Sequence, residues 1–245
     1  MVKLALVLHG WPQKFTSEHE LWKLLEKRGY EVLAPYFFDK GFVFREENLI
    51  SYLQKKLRGR LPEVIVGISL GGYLTFHLAR VFPGTKLVFV ASGIRLGAKS
   101  AWFNWIVRVA DSSLGMGLTR LVYALPKSWA RWAYGMVNPY SGDGKSREEY
   151  VQDRENNLGY ILGIKPEKQR EILTYLRWMN GERADIKLPN LALILVGEKD
   201  LFMPPERGQE LRKLLPNSHL IITNGEHFNV LNKQTLADVE KFIIE

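Results

Sequence analysis

Apolar residues in this chain come in short unbroken runs, and between the runs they recur every three or four positions. The first run covers residues 2–8 and ends at His9-Gly10-Trp11-Pro12. A stretch that is apolar at nearly every position and closed by turn residues predicts a strand buried on both faces of a parallel sheet. Further strands are expected at 31–35, 64–68, 86–91, 191–196 and 220–222. Helical spacing fills the gaps. Ser17 with Glu20 reads as a capping box ahead of Leu21, Leu24 and Leu25, and Gly29 closes that helix. Leu49, Leu53 and Leu57 mark one face of a second helix, and Leu70, Leu74, Leu78 and Phe82 mark a third. Pro204-Pro205 opens a helix through Leu211, Leu214 and Leu215, and a last helix carries Leu236, Val239, Phe242 and Ile243. Regular alternation of strand and helix predicts an α/β fold: a mostly parallel sheet of about six strands with helices on both faces.

The alternation stops near Gly93 and resumes near Pro189. The segment 93–187 is helical in pattern, with helices expected at 101–110, 114–125, 128–137, 147–162 and 165–179. It is too long for a loop and too poor in strand pattern to extend the sheet. We read it as a helical cap inserted after the fourth strand, with 1–92 and 188–245 forming the core domain. The segment holds five of the seven tryptophans, Trp102, Trp105, Trp129, Trp132 and Trp178. These are the candidates for substrate contact; one or two are expected to line a pocket and the others to pack helix on helix.

Composition narrows the chemistry. With no cysteine among 245 residues, disulfides, zinc–thiolate sites and cysteine nucleophiles are excluded. Lys and Arg number 34 against 26 Asp and Glu, a net charge of +8. A surface of that sign can attract anionic lipid or nucleic acid, but no polybasic run or nucleic-acid motif accompanies it, and no nucleic-acid partner is expected. No apolar run approaches the ~20 residues of a membrane-spanning helix, and residues 4–8 are too few for a signal sequence. The expected location is the cytoplasm, and no metal or cofactor is expected.

The stretch Val64-Ile65-Val66-Gly67-Ile68-Ser69-Leu70-Gly71-Gly72 organises the rest. It is G-x-S-x-G between a predicted strand and a predicted helix. A sharp strand-to-helix turn strains the serine backbone, lifts its hydroxyl clear of the sheet and aims the next N–H, that of Leu70, beside it. A serine hydroxyl is a weak nucleophile until a base takes its proton, and that base must be fixed in one tautomer by a carboxylate. Asp200 follows the fifth strand and His227 the sixth, so serine, aspartate and histidine each sit just past a strand, where open α/β sheets bind ligands.

Those residues in that chain order resemble the α/β-hydrolase superfamily over all of the chain except the insertion. The resemblance implies Ser69 as nucleophile, His227 as general base and Asp200 as orienting acid, within Gly197-x-x-Asp200 and Gly225-x-His227-Phe228. It implies an oxyanion hole from the amides of Leu70 and Trp11, a strand order 2-1-3-4-5-6, and a cap where the insertion falls. Glu198 is the alternative acid. His9 reads as a brace for its turn, His77 as a packed helix residue, and His19 and His219 as residues without chemical neighbours. His9-Gly10-Trp11-Pro12 also resembles the H-G-x-P turn of epoxide hydrolases and haloalkane dehalogenases. Those relatives use an aspartate nucleophile where this chain has Ser69, so acyl transfer to water is expected here.

A carboxylic ester with an apolar short-to-medium acyl group is the expected substrate. Thioester, C–C bond and iminopeptidase hydrolysis use the same triad, with Glu148 and Glu149 available to hold an amine in the last case. A non-catalytic binding protein on the same fold is the reading from another class.

Overall fold

The computed structural model describes residues 2–11, 14–38, 46–95, 109, 112, 124, 126–137, 140, 146–172 and 186–245. Six strands, β1 (Lys3–Leu8), β2 (Tyr30–Leu33), β3 (Val64–Ile68), β4 (Lys86–Val90), β5 (Ala192–Gly197) and β6 (Ser218–Thr223), form one sheet. Its order is β2-β1-β3-β4-β5-β6, and all five pairings are parallel. Seven helices are numbered here: α1 (Glu20–Lys27), α2 (Glu46–Leu57), α3 (Leu70–Ala79), α4 (Lys127–Val137), α5 (Arg147–Gly163), α6 (Pro205–Leu214) and α7 (Lys233–Ile244). A further helical stretch occupies 166–172.

The double burial read from the apolar runs appears as two cores separated by the sheet. Leu4, Leu6 and Leu8 of β1 join Ile65, Phe89 and Ile194 on one face, under α2, α3 and α6. Ala5 and Val7 join Val66, Val88 and Leu195 on the other, with Leu21 and Leu25 of α1 and Val239 and Ile243 of α7. Alternate residues of one strand therefore serve opposite cores. Right-handed crossovers dictate this division. The chain steps from β1 outward to β2, then reverses and steps the other way from β3 to β6. The reversal puts α1 on the face opposite α2, α3 and α6, and opens a crevice between β1 and β3.

Three local expectations are corrected. The first helix is not capped by Ser17. Its N-cap is His19, whose Nδ1 accepts the Leu21 N–H at 3.2 Å; residues 17–19 form the turn before it, which leaves Ser17 too early. The second strand runs Tyr30–Leu33 rather than 31–35, its register set by Lys3 opposite Tyr30 through Leu6 opposite Leu33. The third helix ends at Ala79, short of Phe82, and all ten residues of α3 are buried. An all-buried helix carries no polar face to reveal its period.

Between β4 and β5 the described residues contain helices and no strand. α4 and α5 match the expected helices at 128–137 and 147–162, and 166–172 lies within the one expected at 165–179. The helices expected at 101–110 and 114–125 fall almost entirely outside the described residues, as do Trp102, Trp105 and Trp178.

Candidate active site

Three loops at the carboxyl end of the sheet meet. Past β3, Ser69 takes φ 51° and ψ −112°, a region that costs a non-glycine residue on the order of 1–3 kcal/mol. Hydrogen bonds hold it there. The Ser69 N–H donates to the Val90 carbonyl at 2.9 Å, and its own carbonyl accepts from the Gly72 N–H at 2.9 Å. Ser92, buried just past β4, donates its hydroxyl toward the Ser69 carbonyl at 3.0 Å and the Val90 carbonyl at 2.9 Å. Sequence reasoning missed Ser92. Its signal was a small polar residue directly after the strand that pairs with β3.

The glycines flanking Ser69 are required by close approach of backbone, though not to the serine itself. A Cβ on Gly67 would stand 2.6 Å from both the Gly71 carbonyl oxygen and the Gly72 Cα. A Cβ on Gly71 would fall far inside contact distance of the Leu8 carbonyl oxygen on β1. That neighbour is main chain of a central strand and cannot rotate away. Gly71→Ala is therefore expected to destabilise the fold by several kcal/mol. Urea unfolding would read this as a lower midpoint or as loss of soluble protein, and a midpoint equal to wild type would contradict it.

Past β5, the N–H of Asp200 donates to the Gly197 carbonyl at 3.2 Å, and Asp200 is 1 % exposed. Its Oδ1 accepts the N–H groups of Phe202 and Met203, both at 2.8 Å. Its Oδ2 lies 2.8 Å from His227 Nδ1. Past β6, the His227 ring sits edge-on to Phe202 and Phe228, each at a centroid distance of 5.2 Å. Its Nε2 lies 2.9 Å from Ser69 Oγ. A carboxylate can only accept, so it fixes the proton of a neutral imidazole on Nδ1. The Nε2 lone pair then faces the serine hydroxyl. The arrangement can draw a proton from Ser69 and store the resulting positive charge beside a buried carboxylate. The loops carrying Asp200 and His227 touch: a Cβ on Gly197 would meet the Gly225 carbonyl, and the Lys199 N–H donates to that carbonyl at 3.2 Å.

Such a relay is built from residues 69, 200 and 227 at the ends of three different parallel strands. The sequence profile of the alpha/beta hydrolase family matches residues 5–239. The chain belongs to that family. Solved structures agree with this alpha/beta hydrolase in fold. An esterase (EaEST) from Exiguobacterium antarcticum superposes with a TM-score of 0.69 at 13% identity, covering 99% of this chain and 92% of that one. A thermophilic esterase from Thermogutta terrifontis superposes at 0.65 with 18% identity, over 99% and 89% of the two chains. A meta-cleavage product hydrolase (CumD) from Pseudomonas fluorescens IP01 superposes at 0.63 with 17% identity, over 99% and 90%. No curated protein matches this chain.

The other singled-out residues take these places in the hydrolase. Leu70 opens α3, and the first N–H groups of a helix have no acceptor within it. Trp11 is 39 % exposed on the turn after β1. A Cβ on Gly10, its neighbour, would lie 3.2 Å from Ser69 Cβ, so that turn abuts the serine. His9 is buried; its Nδ1 lies 2.7 Å from the Gly10 carbonyl, and its Nε2 accepts the Phe37 N–H at 3.0 Å. It braces the turn against the segment after β2. Glu198 is exposed, and the carboxylate that meets His227 is that of Asp200. His77 is buried within α3, His219 is exposed on β6, and Glu226 is half-buried. Trp129 and Trp132 stand on α4, 62 % and 67 % exposed.

A second polar cluster escaped the sequence reading, because Arg95 lies 115 residues from its partner Glu210. Arg95, past β4, donates to Glu210 of α6 through Nε at 3.0 Å, and Arg207 Nη1 donates to both Glu210 oxygens at 2.9 Å. Burial alone would raise the Glu210 pKa, but the two guanidiniums outweigh it and hold the carboxyl below its ordinary value. The cluster ties the start of the insertion to the helix that follows the Asp200 turn. Nearby, burial pushes the Tyr73 hydroxyl well above the ordinary phenol range. Among the described residues no group of three or more His, Asp or Glu could hold a metal ion. No described helix is long and apolar enough to cross a membrane.

Proposed function

We propose that this chain is a cytoplasmic serine hydrolase that cleaves a carboxylic ester through an acyl-enzyme on Ser69. One observation carries the reading: the unbroken contact from Asp200 Oδ2 to His227 Nδ1 and from His227 Nε2 to Ser69 Oγ. His227 takes the Ser69 proton as Oγ attacks the ester carbonyl, then delivers it to the leaving alkoxide. In the second half-reaction His227 deprotonates water, which attacks the acyl carbon and releases the acid. The amides of Leu70 and Trp11 receive the oxyanion in both halves. Asp200 fixes the imidazole tautomer and stabilises the imidazolium. Residues 93–187 act as the cap over this centre.

The iminopeptidase reading loses one of the two residues, Glu148 and Glu149, that would hold the amine. Glu149 is occupied in capping α5, where its carboxylate accepts the Ser146 N–H at 2.7 Å.

The test is labelling with a fluorophosphonate followed by hydrolysis of a panel of esters, thioesters and aminoacyl anilides. A single labelled serine at position 69 and turnover of esters support the reading; a protein that neither labels nor turns over any of them refutes it. Within the ester series, an apolar acyl pocket gains about 0.8 kcal/mol per buried methylene, up to roughly fourfold in binding. Burying an unpaired charge there costs several kcal/mol. Accordingly kcat/KM is expected to climb from acetyl to chains of about six carbons and then to level off. A clear preference for acetyl or for an acidic acyl group would contradict the apolar pocket and leave the triad assignment standing.

A further inference from the structure

Helix α4 is amphipathic in the reverse of the usual sense. One polar contact, between Tyr134 and Asn157, is turned toward α5, and a surface ion pair joins the same two helices. Arg131 Nε donates to Glu155 Oε2 of α5 at 2.7 Å, and the Tyr134 hydroxyl accepts from Asn157 Nδ2 of α5 at 3.2 Å. Asn157 is 5 % exposed. At 3.6 residues per turn, Trp129 and Trp132 lie together on roughly the opposite side of the helix from Tyr134. Their exposures, 62 % and 67 %, are the largest of any aromatic residue described. A surface helix ordinarily buries its large apolar side chains and turns its polar ones outward. Here the two largest side chains of the helix face water, while its tyrosine and one arginine hold it to α5.

Charge identifies the partner. Between Asp111 and Asp143 the chain carries Arg120, Lys127 and Arg131 and no acidic residue. Lys127, at the first position of α4, is exposed. Over 93–187 there are fifteen basic residues against ten acidic, which supplies five of the eight net positive charges. Indole rings with a cation beside them suit the boundary between lipid headgroups and acyl chains, where the ring is half-dehydrated and its N–H still meets a polar partner. Anionic headgroups attract a cation such as Lys127 beside the rings.

We propose that α4 is a docking helix for an anionic lipid surface, with Trp129 and Trp132 set at headgroup depth and Lys127 against lipid phosphate. The helix lies on the surface and does not span it. The contact is independent of the chemistry at Ser69.

The full chain is mixed with vesicles of phosphatidylcholine alone, or with about one-third phosphatidylglycerol, at about 0.1 M salt, and the bound fraction is read by sedimentation. The wild-type chain is expected to bind the anionic vesicles about tenfold more tightly than the neutral ones. Trp129→Ser with Trp132→Ser should weaken that binding by about tenfold or more. Lys127→Glu should weaken it by about fivefold, and raised salt should weaken it in the wild type. Thermal midpoints check that each variant is folded. Should the double variant fail to fold, the lysine variant and the salt series decide. The proposal is overturned if the wild type stays in the supernatant, if it binds both vesicles alike, or if the tryptophan variant sediments as the wild type does. A wild-type dimer that the tryptophan substitutions dissociate, with no vesicle binding, also overturns it in favour of a second copy.

Discussion

Replacing Ser69 by alanine is expected to remove fluorophosphonate labelling and to lower kcat by about 10³-fold or more. The loss is confined to chemistry. Alanine at this position bears the same φ of 51°, and every backbone hydrogen bond that fixes the turn survives, since those bonds run from the Ser69 N–H and to its carbonyl. The thermal midpoint should therefore stay close to wild type. The amides of Leu70 and Trp11 would still polarise an ester carbonyl, which sets the residual rate. Labelling that persists at another serine of the variant would move the nucleophile elsewhere. A variant that keeps wild-type turnover would refute acyl transfer at this centre altogether.

Asp200→Asn is expected to cost about 10⁴-fold in kcat while leaving the fold intact. The two oxygens of Asp200 have different partners. Oδ1 receives two backbone N–H groups, from Phe202 and Met203, and Oδ2 receives His227. An asparagine there must place its amide oxygen where the two N–H donors are, because an NH2 group facing them would be buried against like donors. Its NH2 then points at His227 Nδ1 and donates to it. The neutral ring is driven to carry its proton on Nε2, so it can no longer accept from Ser69. Asp200→Ala would also lose activity but would strand both backbone donors and lower stability, so the pair of variants separates tautomer control from packing. Near-normal turnover in Asp200→Asn together with a crippled Glu198→Gln would reassign the acid.

The sequence by itself carried the two-faced burial of the strands and the turn around Ser69, while the strand order came from the resemblance to the α/β-hydrolase superfamily. The first two are local. Unbroken apolar runs are what a strand between two helical layers requires. The observed order β2-β1-β3-β4-β5-β6 is the one that the resemblance implied, and it is compatible with right-handed crossovers. Asp200 and His227 were legible as polar residues placed just where a strand ends.

Tertiary structure decided the rest. His19 rather than Ser17 caps α1, because where the turn stops and the helix begins is settled by the turn's own hydrogen bond from the His19 N–H to the Thr16 carbonyl. The demand for Gly71 comes from the Leu8 carbonyl, 63 residues earlier in the chain, and no spacing within G-x-S-x-G expresses that contact. Ser92 holds the serine's carbonyl from the next strand over, 23 residues on, and Arg95 meets Glu210 across 115 residues. The tryptophans of α4 make the point most directly. Their spacing says only that they share one side of a helix, and which side turns to water depends on α5, through Glu155 and Asn157. Periodicity reports the difference between two faces, and only the neighbouring elements assign one of them to the interior.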